Sequence, residues 1–219
     1  MTLIELLVII FVLALLASMI GVPTSTDKIR AKQLSCMNNL KQTGLAERVW
    51  AGDNHDKYPM EISTTNGGTM ELVDGPDAWK TFLVMSNELG TPKVVFCPSD
   101  LQRTNASGFG PAFSAKNISY FIGADATVTN GNVPLFGDNN FLINTSPVKP
   151  GLIEVKSGSS IAWDSTRHTD VKTHAWFDEN KKGGGNVVLG DALVVWLTNS
   201  NLLKQFTQTG LATNRLVIP

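Results

Sequence analysis

The feature that constrains this chain most is an unbroken apolar run near its start. From Leu6 to Val22 no residue is charged, and the first 26 residues hold a single ionisable side chain, Glu5. At about 1.5 Å rise per residue, residues 1–22 wound as one helix would reach roughly 30 Å, the thickness of a bilayer's hydrocarbon core. The segment is therefore expected to span a membrane. A cleavable secretory signal would show a basic leader, a shorter apolar centre and a small-residue exit. Here no Lys or Arg precedes the run, and Ala17-Ser18-Met19 leads into further apolar residues. The remainder of the 219 residues has the composition of an ordinary globule, and five Trp and ten Phe are enough to offset the entropy of ordering, which excludes a disordered chain. The 18 Lys and Arg balance 19 Asp and Glu, so no electrostatic surplus favours a phosphate backbone and no nucleic-acid partner is expected.

Glu5 is the anomaly in the run. A carboxylate inside an apolar helix costs on the order of 2.5–3.5 kcal/mol at bilayer depth unless a cation meets it. The nearest cation is the chain's own α-amino group at Met1, about one helical turn away, so pairing within the subunit or with a neighbour's amine is open. A wet interfacial carboxylate is the simpler alternative. Lys28, Arg30 and Lys32 follow the run, and by the positive-inside rule they would leave the remainder cytoplasmic. Two cysteines argue for the exported side instead, a conflict that removal of a basic leader would resolve.

Met1-Thr2-Leu3-Ile4-Glu5-Leu6-Leu7-Val8-Ile9-Ile10 resembles the mature N-terminus of type IV pilins and type II secretion pseudopilins, with Met1 where the family usually has Phe. Ser35 to Gln42 (SCMNNLKQ), Val95 to Asp100 (VFCPSD) and Gly184 to Asp191 (GGNVVLGD) resemble a large bacterial branch of such prepilin-type proteins. That branch typically ends its last motif in D-G-H-V, which Asp191-Ala192-Leu193-Val194 replaces here, so any role of that His is lost. The resemblance implies an α+β, pilin-like architecture: a long N-terminal spine helix, half membrane-spanning and half amphipathic, packed on a small antiparallel sheet. It implies a structural protein, no enzyme, that polymerises with copies of itself into an extracellular pilus-like filament, with Met1 and Glu5 as assembly residues. The subunit would wait in the inner membrane, with a prepilin peptidase and the pilus or secretion machinery as further partners. A pseudopilin acting as a periplasmic piston and a solitary membrane-anchored binding protein are the alternatives.

Gly21 and Pro23 should interrupt the helix, because proline removes a donor and clashes with the preceding turn; in filaments of the family this region is often unwound. Thr24 and Asp27 offer a capping-box-like restart. Ile29, Cys36, Met37, Leu40 and Val49 then recur at helical spacing to about Trp50, with Lys28, Arg30, Lys32, Lys41 and Arg48 on a solvated face. The expected divisions are 1–23 as the apolar helix, 24–52 as its amphipathic half and 53–219 as the head. In the head, Asp77 to Leu89 reads as a helix stopped by Gly90. Ile118 to Ile122, Ser160 to Trp163, Asn186 to Leu189 and Ala192 to Leu197 read as strands. Asn201 to Thr209 reads as a final helix, and 101–117 and 123–159 as long loops.

Cys36 and Cys97 are the only cysteines. A bridge closing about sixty residues could stabilise the head by roughly 4 kcal/mol; two buried thiols are the alternative. Asp53-Asn54-His55-Asp56 gathers oxygen ligands of the kind calcium takes, yet lacks EF-hand spacing and reads first as a polar turn. Resemblance to pseudopilins adds a late calcium loop, with Asp164, Asp170, Asp178 and Asp191 as unmapped candidates, so no metal ligand or cofactor is assigned. His168 and His174 fit no zinc spacing and read as surface loop. Lys181 to Asn186 precedes a strand where a phosphate-binding loop would open a helix. Trp163, Trp176 and Trp196 read as packing residues, and Asn105, Asn117 and Asn144 head sequons that permit glycosylation.

Overall fold

The computed structural model describes residues 2–18, 25–156, 158–164, 167–168 and 183–219. Helix α1 runs Leu3–Ser18 and α2 Ser25–Asp53. Short helices α3 (Lys80–Val84) and α4 (Ser86–Leu89) and a last helix α5 (Asn199–Thr207) complete the set. The strands are β1 (Tyr120–Gly123), β2 (Pro134–Asp138), β3 (Phe141–Ile143), β4 (Ser146–Pro147), β5 (Gly151–Lys156), β6 (Ile161–Trp163), β7 (Gly184–Leu189), β8 (Val194–Thr198) and β9 (Thr213–Ile218). Six of them form an antiparallel sheet in the order β5-β9-β1-β2-β7-β8, and β4-β3-β6 form a second, three-stranded one.

The large sheet is covered on both faces, which explains why β1, β2 and β7 are buried throughout. Successive side chains of a strand point to opposite faces. Ile122, Val188 and Val217 accordingly join α2, α3 and α4 in one core with Cys36, Leu40, Trp50 and Phe82. Phe121, Val187, Leu189, Leu216 and Ile218 turn the other way, into a second core with Leu202 and Phe206 of α5 and Phe141 and Trp163 of the small sheet. A register shift between Pro134 and Phe136 breaks the alternation in β2, and both Leu135 and Phe136 reach the first core.

Two tryptophans dictate the Gly-Gly step of β7. A Cβ on Gly184 would stand 2.2 Å from the ring of Trp196, and one on Gly185 2.5 Å from the ring of Trp163. The consecutive glycines thus give each face of the strand a flat floor for one indole.

α2 lies across the sheet on a buried stripe of Cys36, Leu40, Thr43, Glu47 and Trp50, at i, i+4, i+7, i+11 and i+14. Gly44 brings the helix close to β7: a Cβ there would stand 2.7 Å from Val188 Cγ1. Hydropathy alone misplaces this stripe. Val49 is 58% exposed, whereas Thr43 and Glu47 are fully buried.

The long membrane-spanning spine of a pilin-like fold is overturned. α1 has 16 residues, about 24 Å of rise against a hydrocarbon core of about 30 Å, and among the described residues no helix is long and apolar enough to cross a membrane. The transmembrane helix and the inner-membrane location inferred from the apolar run are corrected with it. The architecture is a mixed α and β one, with the 29-residue α2 against a six-stranded antiparallel sheet. Gly21, Pro23 and Thr24, as well as Asp170, His174, Trp176, Asp178, Lys181 and Lys182, lie outside the described residues. Within the head, the expected helix over 77–89 is two short ones meeting at Met85. The expected loop over 123–159 contains β2, β3, β4 and β5. Pro134 and Gly137 disguise β2 as a turn; the proline is tolerated because it opens the strand beside the bulge.

Candidate functional site

Two features stand out: the surface of α1 and a buried cluster around the disulfide. α1 has no buried residue. Twelve large apolar side chains, from Leu3 to Leu16, face solvent on every side of the helix, with Leu3 the most exposed at 82%. A helix apolar all round is one that belongs inside a larger assembly or an apolar phase. Thr2 and Glu5 close its first turn reciprocally. The Thr2 N–H donates to Glu5 Oε2 at 2.6 Å, and the Glu5 N–H donates to Thr2 Oγ1 at 3.4 Å. The carboxylate also sits at the positive end of the helix dipole, so in the isolated subunit Glu5 is supported by its own backbone. Met1 lies outside the described residues. On α2, Leu34, Leu45 and Val49 are exposed on one face, turned away from the sheet.

Cys36 of α2 and Cys97 are joined in a disulfide, with Cα atoms 5.0 Å apart. Hydrogen bonds reinforce the clamp. Asn39 Nδ2 donates to Phe96 O at 2.8 Å, and Thr43 Oγ1 donates to Val94 O at 3.2 Å, docking the turn before Cys97 onto α2. His168 packs against the bridge with Nε2 3.7 Å from Cys97 Sγ and 3.2 Å from Asp138 Oδ2. Asp138 Oδ2 also accepts from the Asn186 backbone N–H at 2.8 Å. Beside them the Arg167 guanidinium pairs with the buried Asp100 carboxylate and donates to Ser119 O. Tyr120 directs its hydroxyl toward Cys36 O at 3.5 Å, and burial pushes that phenol well above its usual range.

His168, expected in a surface loop, is 7% exposed. No local pattern could have found this, since the fold joins it to a cysteine 71 residues away. The other candidates fall as follows. Asp53 to Asp56 is a turn closing α2, with Asn54 Nδ2 donating back to Trp50 O and His55 and Asp56 at positive φ. Asp191 is exposed and accepts from the Leu193 N–H. Asn105 and Asn144 are exposed, but Asn117 is buried: its Nδ2 donates to Thr104 O and its Oδ1 accepts from the Ser114 N–H. Trp163 is a core residue and Trp196 is half-buried.

Comparison with known protein families, with curated proteins and with solved structures finds no match for this chain.

Proposed function

We propose that this chain is the structural subunit of a helical filament of the type IV pilin kind that its first ten residues resemble, polymerising with copies of itself through α1. The observation that carries this reading is the exposure of a helix that is apolar on all sides. Covering such side chains is worth about 1.5–3 kcal/mol each. Half of the twelve therefore supply on the order of 10–20 kcal/mol, enough to meet an association cost of roughly 4–15 kcal/mol. Contacts between copies are heterologous and need not close, so they propagate.

Glu5 sets the register. Packing of α1 among its neighbours removes water from the carboxylate, and the position in which a neighbour's N-terminal amine meets it is the one that keeps the charge compensated. A prepilin peptidase and a filament-assembly machinery are the partners this reading implies. Leu34, Leu45 and Val49 on the outer face of α2 offer a neighbouring copy a second exposed apolar surface.

The test is assembly of the full chain and of Leu13→Glu and Glu5→Gln, followed by sedimentation and negative-stain electron microscopy. Wild type should form fibres, Leu13→Glu should remain monomeric, and Glu5→Gln should give few or irregular fibres. A wild-type chain that stays monomeric with α1 intact, or two variants that assemble as well as wild type, contradicts the reading.

A further inference from the structure

The cluster around the disulfide holds more donor chemistry than a structural bridge requires. Cys36 Sγ, Cys97 Sγ and a ring nitrogen of His168 all lie within 4.8 Å of one another, and all three residues are buried. Two ligands held about 2.3 Å from a tetrahedral zinc ion stand roughly 3.8 Å apart. Cys97 Sγ and His168 Nε2 already stand 3.7 Å apart, and the two sulfurs, bonded to each other in the bridge, need only separate by the breaking of that bond to reach the same spacing. The ligands come from three separate places, α2, the turn after Val95, and the 167–168 segment, each fixed by its own hydrogen bonds. Polar capacity around the cluster is also unused: Asp138 Oδ1, on the carboxylate that His168 Nε2 approaches, and His168 Nδ1, on the other side of the ring, are buried without a hydrogen-bond partner. Such orphans are costly in a packed interior, and a bound group is one way they are relieved.

We propose that when the bridge is reduced, the Cys36 and Cys97 thiolates and the His168 imidazole form a buried site for a thiophilic divalent cation, with the Asp138 carboxylate beside it. Two thiolates with one imidazole select zinc over the hard cations magnesium and calcium. The two states exclude each other. A dithiol reductant delivers two electrons and two protons to the Cys36–Cys97 bond and becomes a disulfide itself. Zinc then displaces the two thiol protons to solvent. A disulfide-bearing oxidant reverses the sequence by taking two electrons from the thiolates, which re-forms the S–S bond and expels the ion. Either filling ties α2 to the turn that precedes Cys97, so the head is clamped in both redox states.

The experiment uses the full chain, oxidised and phosphine-reduced, under anaerobic conditions, titrated with Co²⁺ and then Zn²⁺. The reduced chain should bind one equivalent of Co²⁺ with thiolate-to-cobalt charge transfer and the strong d–d bands of a tetrahedral site, and Zn²⁺ should bleach both. The oxidised chain should show neither signal. Cys36→Ser should abolish binding, and His168→Ala should weaken it at least tenfold while its cysteines still oxidise normally in a thiol assay. Should reduction unfold the chain, recovery of its circular dichroism by one equivalent of Zn²⁺ would support the site as well. A reduced chain that takes up no cobalt, an unfolded reduced chain that zinc does not restore, equal uptake by the oxidised chain, or unchanged affinity in His168→Ala would each overturn it.

Discussion

α1 and the head use the same kinds of side chain in opposite ways. The head sends Phe121 to one face of its sheet and Ile122 to the other and covers both. α1 carries Leu, Ile, Val and Phe in every direction and covers none of them. Hydrophobicity by itself therefore does not locate a core. What decides is whether other elements cover the apolar residues: both faces of β1 and β7 are covered, whereas no residue of α1 is buried. The head covers its apolar residues within one copy, while α1 leaves its own exposed.

That contrast can be broken from the head's side. Replacing both Cys36 and Cys97 with Ala should lower head stability by about 4 kcal/mol, the chain-entropy value for a loop of this length, read as a drop in the urea midpoint. The apolar surface of α1 is untouched, so the assembly tendency of folded chains should persist. Gly185→Val should cost about 1–3 kcal/mol, because the new side chain must displace the Trp163 ring; near-ultraviolet circular dichroism would register the displaced indole.

Glu47 gives the head a pH dependence. Its carboxylate oxygens are buried without hydrogen-bond partners. Burial first, and the Glu61 charge second, push its carboxyl well above the ordinary range. Between the unfolded value of about 4.3 and the raised folded value, the native state binds the extra proton. Stability then falls as pH rises through that window, by up to about 1.4 kcal/mol per pH unit. Thermal melts of wild type from pH 4 upward should show this decline, and Glu47→Gln should flatten it; equal slopes would remove Glu47 as the cause. The smallest effect on stability belongs to Val49→Lys. An exposed substitution of this kind should shift folding by less than about 0.5 kcal/mol, yet it should weaken fibre formation if the outer face of α2 takes part.

Legibility in the sequence followed the range of the interactions. α2 was visible because its periodicity is local, although its true buried stripe was hidden by Thr43, Gly44 and Glu47, which hydropathy does not count as core. β7 showed itself as a run of β-branched residues, but its glycines look like a turn until two tryptophans from elsewhere are laid on them. β9 was missed altogether. Thr213, Asn214 and Arg215 resemble a polar tail, and only pairing with β5 and β1 on either side makes the segment a strand. The pairing of the only two cysteines was foreseeable, while the approach of His168 and Asp138 to them was not. The apolar run was plain in the sequence, but its length invited a membrane span that the 16 residues of α1 do not provide.

The most direct test of the central claim is a cryo-electron-microscopy reconstruction of the assembled full chain. It should show the α1 helices of successive copies packed side by side, with the Glu5 carboxylate facing the positive N-terminus of an adjacent copy. A polymer held together by the heads alone, with α1 uncovered and Glu5 facing nothing positive, would contradict the account.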